Sequence, residues 1–348
     1  MQEPSTPPVL KPVARTQGPG GPRLSVVVPV YNEADTVEAF HRRLSGTLAA
    51  VDGPTEILFV DDGSGDGTAA RIEALQAGDG HTGLLKLSRN FGKEAALSAG
   101  LDQAHGEAVV VMDADLQDPP ELIPELVARW REGYDVVYAT RVSRNGDPWG
   151  KRVTAHGFYR LMRRLGTVPI PPDTGDFRLL SRRAVQAVRQ IPERHRFMKG
   201  LFTWIGYPQV GVPYEREPRA AGESKWGYWR LWNLALEGIT SFTTLPLRIS
   251  TYIGFATALL AFLYGIFVVL KTLLYGDPVA GYPSLMTVVL FLGGVQLMAI
   301  GVIGEYLGRM FDESKGRPLY LVDQYRPPQA TATPEREAER SSDAARAR

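Results

Sequence analysis

Ala108-Val109-Val110-Val111-Met112-Asp113-Ala114-Asp115 is the stretch that decides the fold of this chain. Five apolar residues without polar alternation read as a strand buried on both faces, as in a parallel sheet. Ligands of open α/β sheets bind just beyond the carboxyl ends of such strands, so Asp113 and Asp115 stand where chemistry is expected. Two hard oxygen donors at this spacing suit one Mg²⁺ or Mn²⁺ with positions left open for phosphate oxygens. A departing nucleotide diphosphate needs that neutralisation. The next segment, Asp118-Pro119-Pro120-Glu121, has instead the pattern of a helix start, with Asp118 as cap and proline in the first turn.

Working outward, strands at Leu24–Val30, Glu56–Val60, Gly83–Leu87 and Asp135–Ala139 alternate with helices near 34–51, 68–76, 93–104 and 119–132. This alternation predicts a doubly wound, mostly parallel α/β sheet. No G-x-G-x-x-G follows the first strand, which argues against a dinucleotide-binding domain. The first strand runs into Val28-Pro29-Val30-Tyr31-Asn32-Glu33 and the second into Phe59-Val60-Asp61-Asp62-Gly63-Ser64. In a doubly wound sheet both tips share the edge that carries Asp113 and Asp115. The Asp62 carboxylate suits a base edge or ribose hydroxyl, and Tyr31 offers an aromatic face to a base. Asp66 and the neighbouring glycines read as a turn and helix cap.

Lys and Arg number 39 against 38 Asp and Glu in 348 residues, so no global charge draws the chain to nucleic acid. The absence of cysteine excludes disulfides, zinc–thiolate sites and thiol nucleophiles. Residues 1–22 and 327–348 have the composition of disordered tails. The first lacks the apolar core of a signal peptide, so the globular part is expected in the cytoplasm.

Ile249–Leu270 and Pro283–Gly304 are each long and apolar enough to cross a bilayer as a helix. The 271–282 connection carries one Lys and no Arg, whereas Arg230, Arg248, Arg309, Lys315 and Arg317 lie outside the spans. The positive-inside rule then predicts a two-pass protein of the cell membrane with both termini cytoplasmic. Trp226, Tyr228, Trp229 and Trp232 beside Lys225 and Arg230 predict an interfacial amphipathic segment over 226–248, and 305–326 is expected as a cytoplasmic juxtamembrane segment. Tyr159–Leu165 interleaves arginine with apolar residues, a pattern suited to an anionic membrane surface. Gly254, Ala256, Gly265, Gly293, Gly294 and Gly301 allow close helix packing, and with it self-association as a homo-oligomer.

Six motifs in order, VVPVYNE (27–33), FVDDGSGDGT (59–68), DADLQDPPE (113–121), YATR (138–141), TGDFRLLSRR (174–183) and GESKWG (222–227), together resemble the family 2 glycosyltransferases of GT-A fold. Within that family the chain is similar to polyprenyl-phosphate glycosyltransferases of the dolichol-phosphate mannose synthase and bactoprenol glucosyltransferase type, over about residues 24–320. The resemblance implies a catalytic domain over 23–225, in which Pro29, Tyr31, Glu33, Val60 and Asp62 hold the nucleoside. It implies that Asp113, Asp115 and Gln117 bind Mg²⁺ or Mn²⁺, with Ala114 counted among the donor-binding residues, and that Arg141, Arg219 and Lys225 hold phosphates. Asp176 is then the candidate base, grouped with Asp115 and Arg141 as catalytic.

Physical chemistry supports the basic set, because fixed cations and a metal must offset the repulsion between a nucleotide diphosphate and a lipid phosphate. A phosphate monoester has a second pKa of about 6, so the acceptor oxygen is already largely anionic and Asp176 has orientation as well as proton removal open to it. Gly222-Glu223-Ser224 is expected as a mobile loop that closes over the substrates. The expected reaction is inverting, metal-dependent transfer of a hexose from a sugar nucleotide to polyprenyl phosphate in the cytoplasmic leaflet. UDP-glucose is the preferred donor and GDP-mannose the alternative. A processive polysaccharide synthase would carry a Gln-x-x-Arg-Trp motif and more spans. A non-catalytic membrane scaffold would have no need of the acid pair, Gln117, Arg141 and Lys225.

Overall fold

The computed structural model describes residues 23–142, 174–194, 196–215, 245–275 and 281–329. They form two compact units, one joining the chain up to 215 with the chain from 318 onward, the other containing the residues between 245 and 317.

In the first unit β1 (Leu24–Val30), α1 (Val37–Leu48), β2 (Thr55–Asp61), α2 (Thr68–Gly78), β3 (Thr82–Leu87), α3 (Lys93–Gln103) and β4 (Ala108–Val111) follow one another as strand and helix. A short 3-10 turn (Pro120–Leu122) leads into α4 (Ile123–Arg131), then β5 (Val136–Arg141), β6 (Thr174–Ser181), α5 (Arg182–Arg189), α6 (Met198–Trp204) and β7 (Gln209–Tyr214). The last strand is β8 (Val322–Arg326). All eight strands join one sheet in the order β7-β5-β6-β4-β1-β2-β3-β8. β4, β1, β2 and β3 run parallel at its centre, β6 is antiparallel to both neighbours, and β8 closes the β3 edge in antiparallel register.

The central strands are apolar on both faces because helices cover both, which is why Ala108–Val111 is fully buried without alternation. α3 lies closest. A Cβ on Gly100 would stand 2.2 Å from Val27 Cγ1 and 2.9 Å from Val60 Cγ2, so only glycine lets this helix settle on β1 and β2. Gly100→Ala should lower unfolding stability by about 1–3 kcal/mol, read as a fall in Tm of the purified protein. An unchanged Tm would mean that the helix shifts at no cost.

Several details depart from the sequence reading. The helix expected near 119–132 breaks into the 3-10 turn and α4, with Pro119 rather than Asp118 at the cap and no side-chain cap bond there. The expected strand 135–139 extends to Arg141, because β7 pairs with it as far as Arg141 and Tyr214. β8 falls inside the stretch 305–326 expected to be juxtamembrane.

The second unit is a pair of helices, α7 (Leu245–Tyr275) and α8 (Tyr282–Ser314). Ile249–Phe267 and Phe291–Ser314 within them are long and apolar enough to cross a membrane, and almost none of either window is buried. α8 continues past Gly304, aided by an i,i+4 pair of Glu305 with Arg309, and stops at Gly316, whose φ of +59° is left-handed. The expected interfacial aromatics at 226–232, the basic segment 159–165, the loop 222–224 and both tails lie outside the described residues, apart from 327–329.

Candidate active site

Four loops meet at the carboxyl edge of the central strands, and hydrogen bonds lock them together. After β1, Asn32 takes a φ of +54°. Its amide donates to Ser64 Oγ at 2.9 Å and its Oδ1 accepts from the Gly65 amide at 2.9 Å. The next two amides, Glu33 and Ala34, donate to Thr68 Oγ1 and Asp66 Oδ2. Asp66 also accepts from the Thr68 amide at the start of α2, which fits the turn its sequence suggested, while Gly67 with its left-handed φ of +91° takes the cap position. Gly63, with φ of +72°, is pressed on the third loop: a Cβ there would lie 2.5 Å from the Arg89 carbonyl carbon.

Asp62 completes this lock. It is only 3% exposed, and its two carboxylate oxygens accept from the Phe91 amide at 2.7 Å and the Gly92 amide at 2.9 Å. Burial raises its pKa against those two donors. Each oxygen keeps a further lone pair, so Asp62 is both the tie between the second and third loops and an acceptor facing the edge. Tyr31, at 49% exposure, presents its ring to solvent beside it in the first loop. Pro29 and Val60 lie opposite each other in the β1–β2 register.

Asp113 and Asp115 follow β4 as expected. Leu116 adopts a left-handed φ of +58°, uncommon for a branched residue and a sign of local strain. Asp115 Oδ1 spans this turn by accepting from the Gln117 amide at 3.1 Å. Gln117 is 7% exposed, and its Oε1 is buried without a hydrogen-bond partner. Glu33 lies close enough to Asp113 and Asp115 for them to add to the burial that raises its pKa. Two carboxylates and an orphaned amide oxygen, all hard donors, fit Mg²⁺ or Mn²⁺. Among the described residues no three His, Cys, Asp or Glu side chains form a closed metal cage. An open two-carboxylate site is what a cation shared with a diphosphate requires.

β6 explains how Asp176, far away in sequence, comes to this site. It is antiparallel to β4 with Val111 opposite Arg178, and extending that register by two residues sets Asp113 opposite Asp176. Lys93, the first residue of α3, bridges them: its Nζ lies 2.6 and 2.8 Å from the two oxygens of Asp113 and also pairs with Asp176. Lys199 Nζ stands 3.6 Å from the other Asp176 oxygen. Burial disfavours the Asp176 carboxylate, but Lys93 and Lys199 outweigh it and hold its pKa well below the usual carboxylate range. The buried Arg178 anchors the turn by donating to the Gly175 and Asp176 carbonyls, its guanidinium 4.5 Å over Phe202.

Arg141 ends β5 on the same edge. Its Nη2 would meet a Cβ on Gly175 at 3.5 Å, and its Nε donates to the Tyr214 hydroxyl at 3.4 Å. That hydroxyl donates in turn to Asp118, a short 2.5 Å bond that is Asp118's role here in place of the expected cap. Burial and the Asp118 carboxylate push the Tyr214 phenol up to about 12. The structure therefore brings together Tyr31, Glu33, Asp62, Asp113, Asp115, Gln117, Arg141 and Asp176, whereas Arg219 and Lys225 lie outside the described residues. Lys93, Lys199 and Tyr214 were not anticipated. Lys93 alone had a signal, since Asn90-Phe91-Gly92-Lys93 puts a cation at a helix start after a glycine at the site edge.

The glycosyl transferase family 2 profile matches residues 25–189, and the GtrB C-terminal hairpin profile matches 245–310. An uncharacterized glycosyltransferase of Synechocystis sp. is 55% identical over 86% of this chain and 94% of its own length. The chain belongs to glycosyl transferase family 2. Within this family it is 49% identical to the bactoprenol glucosyl transferase of Shigella phage SfV, over 86% of this chain and 98% of that one. A prophage bactoprenol glucosyl transferase homolog of Escherichia coli K12 is 47% identical over the same shares. Among solved structures the chain is similar to the Mycobacterium tuberculosis glucosyl-3-phosphoglycerate synthase in complex with Mn²⁺, UDP-glucose and phosphoglyceric acid. That likeness is 23% identity with a TM-score of 0.43, over 67% of this chain and 86% of that one. The mixed, mostly parallel sheet is the GT-A architecture expected of a family 2 glycosyltransferase.

Proposed function

We propose that this glycosyltransferase moves glucose from UDP-glucose to a polyprenyl phosphate on the cytoplasmic face of the cell membrane, inverting the anomeric centre with the help of Mg²⁺ or Mn²⁺. The observation that carries this reading is the near full-length identity, 49% and 47%, to proteins named as bactoprenol glucosyl transferases.

The site residues supply the parts such a transfer needs. Tyr31 offers the base a ring face, and Asp62, tied to the Phe91 and Gly92 amides, offers it a fixed acceptor. Asp113, Asp115 and Gln117 would hold the divalent cation, whose role when bound is to neutralise charge on the departing diphosphate. Arg141, braced by Tyr214, adds a fixed charge at the same edge, and Arg219 and Lys225 belong to the same phosphate-binding set in this reading. Asp176 is held as a carboxylate between Lys93 and Lys199, which suits it to orient the acceptor and to stabilise positive charge on the sugar.

Chain connectivity supports the two-pass arrangement. β8 hydrogen-bonds to β3, and strands cannot pair through a bilayer, so residues between β7 and β8 cross it an even number of times. With α7 and α8 as the spans and the basic residues outside them, both ends of the hairpin lie on the cytoplasmic side. A Cβ on Gly254, Gly265, Gly293, Gly294 or Gly301 meets nothing within 4 Å, so these small-residue surfaces stay open for the self-association proposed from sequence.

The test is to incubate purified protein with undecaprenyl phosphate and radiolabelled UDP-glucose or GDP-mannose. Labelled lipid is expected from UDP-glucose and not from GDP-mannose. Label from GDP-mannose alone would reassign the donor, and label from neither would overturn the reading.

A further inference from the structure

Both oxygens of Asp113, the carboxylate that ends the central strand, lie within hydrogen-bond distance of Lys93 Nζ, at 2.6 and 2.8 Å. The same ammonium holds Asp176, so one cation stands between two acids that the β4–β6 register sets opposite each other. Lys93 is the first residue of α3 and its side chain is 40% exposed, so it has solvent to move into. Gln117 Oε1, by contrast, is left with no partner. The two groups are complementary: one metal-type donor is already engaged by an internal cation while another is vacant. Lys93 Nζ fills the position between the two Asp113 oxygens, so a divalent ion cannot take that position as well, and at such range the two cations repel each other.

We propose that Lys93 is a built-in competitor of the divalent cation at Asp113, so that metal enters only by displacing its ammonium. The proposal rests on the metal-binding reading of Asp113, Asp115 and Gln117. No bond is made or broken in the exchange. The ion takes Asp113, and the ammonium keeps Asp176 and gains a free donor on the side where a substrate phosphate arrives. Free metal is thereby held weakly, and the phosphates of an incoming sugar nucleotide are needed to complete its coordination.

The experiment is Mn²⁺ binding to the purified full-length protein without nucleotide, followed by the EPR signal of free Mn²⁺. Lys93→Gln removes the competitor and should bind Mn²⁺ about tenfold more tightly than wild type. Lys93→Met, which keeps the aliphatic stem, should do the same and guards against a folding defect peculiar to one variant. Lys199→Gln removes an equal charge that touches Asp176 and not Asp113, and should tighten binding less than about twofold. Binding by both Lys93 variants no tighter than wild type, or an equal gain in Lys199→Gln, would overturn the proposal. If Asp113→Asn with Asp115→Asn bound Mn²⁺ as well as wild type, the metal reading would fall first and this inference with it.

Discussion

Asp115→Asn should reduce glucosyl transfer about a thousandfold while leaving the fold intact. Asn keeps an Oδ1 that can accept from the Gln117 amide across the strained Leu116 turn, so the geometry of the loop survives. What is lost is one of the two negative charges that would grip the cation beside a diphosphate. Initial rates across a Mn²⁺ titration, with Tm measured in parallel, test this. The variant's rate should rise with metal far above the range that saturates wild type, and excess chelator should bring wild type down to the level of the variant. A variant within tenfold of wild type at every metal concentration, or wild-type turnover indifferent to chelator, would remove the acid pair from the chemistry.

Asp176→Asn should produce a second loss of about a hundredfold or more. Its pH profile is the sharper reading. Lys93 and Lys199 overcome the cost of burial and depress the Asp176 pKa, so the group stays ionised throughout the assay range. Lowering the pH from about 8 to about 5 therefore takes no activity away through Asp176. Any acidic limb near pH 6 belongs instead to the second ionisation of the acceptor phosphate. Asp176→Asn should lower the rate at every pH and keep that limb. If the limb vanished in the variant, Asp176 would be a titrating base and the orienting role would be wrong. Stability follows the same sign: a depressed carboxylate stabilises the fold above its unfolded pKa of about 3.9, and that contribution is lost only as pH falls towards the lower folded value.

Much of this site was readable before any coordinates. Apolar strands tipped by Tyr31, Asp62 and Asp113 fix their own positions, because each motif is continuous in sequence and a parallel sheet delivers every strand end to one edge. What could not be read depends on pairing between distant segments. Asp176 is reached in the sequence only through the family resemblance, because it sits on an antiparallel strand whose register with β4 is encoded nowhere locally. Tyr214 sits at the end of β7 and matters only because that strand lies beside β5. Asp118 has the letters of a helix cap, yet a hydroxyl 96 positions later claims it. For Lys93 the sequence offers only a cation at a helix start after Gly92, and its two acidic partners lie 20 and 83 positions away. β8 escaped for a different reason: Val322–Arg326 is short and mostly polar, typical of an edge strand rather than a core one.

That edge strand governs how the protein is made. A ribosome releases β1 to β7 first and the α7–α8 pair next, so the strand that covers β3 emerges after them. Until then the backbone of Leu84–Leu87 is an open template for stray β-pairing, and the sheet is finished only once the hairpin has been synthesised. A fragment truncated before α7 leaves the β3 edge uncovered. Such a fragment loses Tyr320 from Asp102 and the Gln76 contacts to the Arg326 and Pro327 carbonyls, along with the strand itself. Because β7 and β8 border opposite edges of the sheet, residues 318–329 could be rejoined to a fragment without the hydrophobic helices only through a linker that crosses the sheet's whole width.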